Sequence, residues 1–176
     1  MSATVCLNDG DTHNGPNEQA EAKFPVVVER FELIQDSGGA GKYRGGLGIA
    51  RTTRALSPLA VNTQSERSAC PPWGLDGGGE AAGNQVAFRL KGEWKTDFKN
   101  AKVLVAQLNE GDAFKISSGG GGGYGNALTR DIASVREDVR QGYVSVEAAA
   151  EKYGVVIDPE TFVVDNAATE KLRAAR

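Results

Sequence analysis

Three groups of residues in this chain have the types and spacing to do chemistry. Asp9, Asp11 and His13 form a D-x-D-x-H pattern. Alternate positions of an extended segment share a face, so these side chains would point one way as a candidate metal-ligand set. Asp36, Ser37 and Arg44 lie on and beside the glycine cluster of QDSGGAGKYRGGLGIAR, where an arginine's planar fork would hold a phosphate or carboxylate of a substrate. Arg67, in SERSACPPWG, offers the same fork.

Each candidate has a plainer reading. Two carboxylates and a histidine at this spacing are common by chance, so a solvated or hydrogen-bonded His13 is favoured and no metal is assigned. An Asp36–Arg44 pair would close its own loop, because exposed loop charges usually pair or solvate. Trp73 reads as a packing anchor rather than a stacking platform. Arg130 and Asp131 read as a helix start with a cap and a local ion pair. His13 is the single histidine, and spacing alone ties it to no nucleophile, so no catalytic residue is assigned.

Glycine is the anomaly: 23 of 176 residues, about twice the roughly 7% average. A P-loop needs Gly, four residues, then Gly-Lys-Ser or Gly-Lys-Thr. Here Gly41-Lys42 is followed by Tyr43, and Asp36 stands where the first glycine belongs. The G-x-G-x-x-G pattern fails at Arg44 counting from Gly39 and at Arg51 counting from Gly46. From Gly77 it survives only in a loose form ending on Ala82, with no helix of the expected kind after it. The runs at 38–48, 77–83 and 119–123 read instead as extended, polyproline-II-like segments that pack on one another.

The elements that must position these residues follow from the pattern between the glycines. Residues 1–24 read as an N-terminal loop leading into an extended segment. Residues 25–126 read as a mainly β, glycine-rich domain. FPVVVERFELIQ, GIARTTRAL and LAVNTQSE are strands, QVAFRL and EWKTDF form a hairpin about Lys91-Gly92, and KVLVAQL and AFKIS form a second about residues 109–112. Residues 127–176 read as a helical segment: Ile132, Val135 and Val139 recur at helical spacing before Gly142, Ser145 caps a helix that stops at Gly154, and NAATEKLRAAR forms a last one. The fold class is therefore mainly β with C-terminal helices, an antiparallel, barrel-like body.

A formal charge of −3 with scattered basic residues argues against nucleic acid or an anionic membrane as partner. Two cysteines are too few for a disulfide framework. No signal peptide or membrane span is apparent, so a cytoplasmic protein with reduced thiols is expected.

Four stretches carry a resemblance: GDTHNGPNEQAE, FPVVVERFELIQDSGGAGKYRGGLGIAR, ERSACPPWGLDGG, and SSGGGGGYGNALTRDIASVREDVRQGYVSVEAAAEKYGVVID. In this order they resemble the carboxy-terminal part of the hydantoinase B family. That family includes subunits of ATP-dependent N-methylhydantoinases, 5-oxoprolinase, and acetone and acetophenone carboxylases. The resemblance covers about residues 11–158 and implies a naturally split small subunit, its missing portion on a large B-type chain. It further implies an A-type subunit that holds ATP and magnesium and phosphorylates a small-molecule substrate. The B component shapes the chamber where the activated species is hydrolysed or carboxylated. No cofactor is then expected on this chain, and a divalent metal, where the carboxylase branch uses one, belongs to the missing portion. The leading expectation is a chamber-forming subunit of a cyclic-amide hydrolase. The same role in an acetone- or acetophenone-type carboxylase and a non-catalytic interaction module are the alternatives.

Overall fold

The computed structural model describes residues 15–176. In chain order the elements are helix α1 (Asn17–Lys23), strands β1 (Val26–Leu33), β2 (Ile49–Ala55), β3 (Leu59–Thr63), β4 (Gln85–Leu90), β5 (Glu93–Lys95), β6 (Val103–Leu108) and β7 (Ala113–Ser117), and helices α2 (Ile132–Arg140), α3 (Val146–Tyr153) and α4 (Asn166–Ala174). One sheet has the antiparallel order β1-β2-β7-β4-β5, and β3 pairs with β6 in a second. Among the described residues the strands form open sheets and no closed barrel.

One face of the larger sheet packs against the β3–β6 pair. Ala55, Val86, Phe88, Ala101 and Leu108 are buried between them, with Leu59, Val61 and Phe114 beside them. A second core lies under the helices, where Val135, Val139, Ala149, Tyr153 and Val155 pack with Ala40 of the first glycine cluster. The glycine segments thus sit where the β part and the helical part meet.

The local signals for the helices act as the sequence suggests. Asp131, Ser145 and Asp165 each accept a backbone N–H in the first turn of α2, α3 and α4, and Gly154 ends α3 in the left-handed region at φ +64°. Lys91 and Gly92, both at positive φ, make the tight turn between β4 and β5.

Two expectations are corrected. Residues 17–23 form a short helix instead of a loop: the Pro16 carbonyl accepts from Gln19 and Ala20, and NEQAEAK is composed mostly of good helix formers. The Glu21 carboxylate then accepts the Val28 amide at 2.7 Å, fixing the helix against β1.

The second correction is that β6 and β7 are consecutive but do not pair. β6 stays with β3, while β7 enters between β2 and β4. The turn between them explains this. The Asp112 carboxylate accepts the amides of Asn109 and Lys91 at 2.9 and 2.8 Å. The backbone of Ala55 exchanges bonds with Gly111 and Asp112. These ties hold the turn to the ends of β2 and β4 and direct β7 into the larger sheet.

The three glycine runs are bonded to one another through their backbones. Gly39 N donates to Gly121 O, Gly121 N to Gly46 O, Gly123 N to Gly79 O, and Gly79 N to Ala40 O, over 2.6–3.0 Å. A methyl carbon built on Gly45 would overlap the Gly121 carbonyl, and one on Gly123 would overlap that of Ala40. These approaches exclude any side chain.

Candidate functional surface

Among the described residues, the proposed site residues Asp36, Ser37, Arg44 and Arg67 make separate contacts and form no shared site. Arg44 leaves the glycine cluster for helix α2, where its Nε lies 3.2 Å from Asp138 Oδ2. Arg130 donates to the same oxygen at 2.9 Å and to the Lys42 carbonyl at 3.0 Å. All three side chains are largely buried. The expected Asp36–Arg44 pair is therefore not formed. Asp36 instead accepts the Ser145 amide at 2.9 Å, bonding to the N-cap residue of α3. Ser37 is buried; its hydroxyl donates to Ile34 O and accepts from Gly48 N.

These three residues brace the glycine layer and the helices rather than facing solvent. The capping part of the reading of Arg130 and Asp131 holds, since Asp131 caps α2, whereas the ion partner of Arg130 is not a close neighbour but Asp138, near the far end of α2. Tyr153 beside this network stays a neutral phenol near neutrality, because burial pushes its pKa up to about 12.

Arg67 is different. Its guanidinium stacks 4.9 Å from the ring centre of Trp73, and Trp73 is 62% exposed, so the tryptophan is a surface platform and not the packing anchor expected. Next to it the glycine layer carries Leu75, Tyr124 and Tyr43, all at least half exposed. Tyr124 bridges Leu75 on one side and Tyr43 on the other through the backbone. The rings of Tyr43 and Tyr124 are 6.3 Å apart, and Lys42 sits 5.8 Å above Tyr43.

The result is a row of apolar side chains with a cation near each end. Such a surface suits a partner or ligand that is apolar in its body and negatively charged at its edge. Sequence reasoning missed Tyr43, Leu75 and Tyr124. A signal existed, since each is a large side chain set among glycines whose other surfaces are packed.

The outward face of the larger sheet holds a polar trough of about 460 Å³ lined by Glu29, Arg30, Thr52, Arg89, Trp94 and Lys115, among others. A bulge in β1 sets Glu29 out of register, and its carboxylate takes Arg54 at 2.8 Å and Arg89 at 3.2 Å. Partial burial works to raise the Glu29 pKa, but the hydrogen bonds from Arg89 and Arg54 outweigh it and hold the carboxyl below its ordinary range. A carboxylate so stabilised is a weak general base.

Asp9, Asp11 and His13 lie outside the described residues. Among the described residues no group of three His, Cys, Asp or Glu is placed to hold a metal ion, and no helix is long and apolar enough to cross a membrane.

This arrangement of open antiparallel sheet and small helices recurs in solved structures. The hydantoinase B/oxoprolinase family profile matches residues 1–127, and the chain belongs to that family. It is 37% identical over 175 residues to the caprolactamase subunit beta of Pseudomonas jessenii, covering 94% of this chain and 29% of that one. Among solved structures, the ATP-dependent caprolactamase from Pseudomonas jessenii superposes with a TM-score of 0.77 at 30% identity, over 91% of this chain and 28% of the other. The nucleotide-free acetone carboxylase, from work on ATP-dependent acetone carboxylation, gives the same TM-score at 26% identity, over 92% and 26%. The chain therefore spans between a quarter and three tenths of the length of these relatives. The family is one of ATP-dependent cyclic-amide hydrolases and carboxylases.

Proposed function

We propose that this chain is a chamber-forming subunit of an ATP-dependent cyclic-amide hydrolase, acting with a large B-type chain and an A-type subunit that binds ATP and magnesium. The observation that carries the reading is the state of the glycine amides. Those of Gly39, Gly45, Gly79, Gly120, Gly121, Gly123 and Gly125 donate to backbone carbonyls of the glycine layer and its neighbours. A phosphate cradle needs such amides free and convergent. The glycines here build a wall, which is what a chain that shapes a chamber without handling ATP requires. Of the candidate substrate-binding residues, Arg67 on Trp73 has the surface to meet a phosphorylated substrate, while Asp36, Ser37 and Arg44 keep the wall in shape. The likeness to acetone carboxylase supports a second reading, the equivalent subunit of a carboxylase.

Reconstitution tests both. The chain is combined with the A-type and large B-type polypeptides, and hydantoin, 5-oxoproline and caprolactam are assayed for ring opening coupled to ATP hydrolysis. Product should form only when this chain is present, and turnover undiminished by its omission overturns the proposal. Acetone with bicarbonate in the same assay selects the carboxylase reading if a carboxylated product accumulates. The isolated chain should show no magnesium-dependent ATP binding by titration calorimetry; stoichiometric binding would contradict the wall reading.

A further inference from the structure

A cleft of about 350 Å³ lies on the face of the larger sheet that looks toward β3, with the end of α1 as its lip. Phe24, Val26, Leu59, Val61, Phe114 and Ile116 are among its walls. It also contains one charged side chain, Arg51. The cross-strand neighbours of Arg51 are Phe31 on β1 and Ile116 on β7, so neither supplies a carboxylate. Its Nε is shielded from solvent and has no hydrogen-bond partner among the described residues. The trough on the opposite face differs in this respect, because Glu29 there already satisfies Arg54 and Arg89. A guanidinium donor left dry and unpaired destabilises the chain until an acceptor reaches it.

We propose that this cleft receives the part of the hydantoinase B sequence lying outside these 176 residues, through an apolar segment carrying one aspartate or glutamate that pairs with Arg51. The inference rests on the subunit reading above. Length supports this occupant. The chain spans 28–29% of the caprolactamase sequence and structure it matches, so most of each relative is available to cover the surface. The chemistry also fits, since permanent interfaces are more apolar than transient ones. A cation whose Nε has no partner among the described residues, set in apolar walls, would fix the register of what packs there.

The test expresses the remaining B-type portion as a separate polypeptide and measures its Kd for this chain by biolayer interferometry. Arg51→Leu should weaken binding about thirtyfold or more, the effect of removing one member of a buried ion pair. Phe24→Asp, at an exposed position on the lip, should weaken it comparably without unfolding the chain, which thermal melts check. Lys152→Ala, on α3 away from the cleft, should leave Kd unchanged. In Arg51→Lys a carbodiimide should join the new amine to an Asp or Glu of the large chain, located by peptide mass spectrometry. Unaltered affinity in Arg51→Leu and Phe24→Asp, or a cross-link only to residues of this chain, overturns the cleft assignment and leaves the subunit reading standing. Failure of the unaltered chain to bind overturns both.

Discussion

Arg44 and Asp138, 94 residues apart in sequence, meet with Nε 3.2 Å from Oδ2, and neither side chain is more than 10% exposed. Arg130 binds the same carboxylate from the turn before α2. One buried anion thus ties the first glycine cluster to two points of the helical part.

Removing that anion should be costly. Asp138→Ala leaves two largely buried guanidinium groups without their ion partner, and breaking a buried pair in this way costs about 3–5 kcal/mol. For a chain of this length a loss of that size lowers Tm by about 6–20 °C. Thermal unfolding followed by circular dichroism checks this; a Tm within about 2 °C of the parent, less than 1 kcal/mol at this length, would show that the network contributes little.

The glycine layer predicts a sharp contrast between positions. Gly123→Ala sets a methyl group into the Ala40 carbonyl, where overpacking costs about 1–3 kcal/mol and more when the backbone has no room to relax. Gly92 has open space around it at φ +88°, so Gly92→Ala should cost only the left-handed backbone penalty of about 1–2 kcal/mol. Gly123→Ala should therefore also reduce assembly with partner chains, while Gly92→Ala should not. Size-exclusion profiles of the co-expressed complexes distinguish the two.

Arg67 and Trp73 should separate function from stability. Both are exposed, and surface substitutions usually change stability by no more than about 0.5 kcal/mol. Arg67→Ala and Trp73→Ala should therefore melt like the parent but raise KM or lower kcat in the reconstituted enzyme. Parent-like kinetics in both variants would remove this pair from the substrate surface.

Acid should weaken the end of α2. The hydrogen bond from Arg140, followed by that from Gln141, lowers the Glu137 pKa from 4.5 to about 2. A depressed folded-state value means that the stabilisation is complete above about 4.5 and is lost as pH falls toward about 2. The Tm difference between parent and Glu137→Gln should shrink over that window. It should also shrink in high salt, because the pair is exposed and screened. A difference independent of pH would show that the pair does not act through charge.

Features that depend on near neighbours along the chain are legible in the residues alone. The Asp131, Ser145 and Asp165 caps, the Gly154 stop and the Lys91-Gly92 turn are each written within a few residues, because each closes a bond across one turn. The failure of the phosphate-binding patterns was equally local: Tyr43 follows Gly41-Lys42, and no fold can change that. Asp138 was legible in part, falling at helical spacing beside Val135 and Val139 and hence on the buried side of α2. What depends on distant partners was settled by packing. The pairing of β7 with β2 and β4 rather than β6 rests on bonds from Asp112 and its turn to Lys91 and Ala55. The choice of Asp138 over Asp36 for Arg44 rests on where α2 packs. The side-by-side setting of Tyr43, Tyr124 and Leu75 exists because three glycine runs, far apart in sequence, approach to hydrogen-bonding distance. That approach requires the absence of side chains, which composition reveals, but which amide meets which carbonyl is settled by the packing of the whole chain.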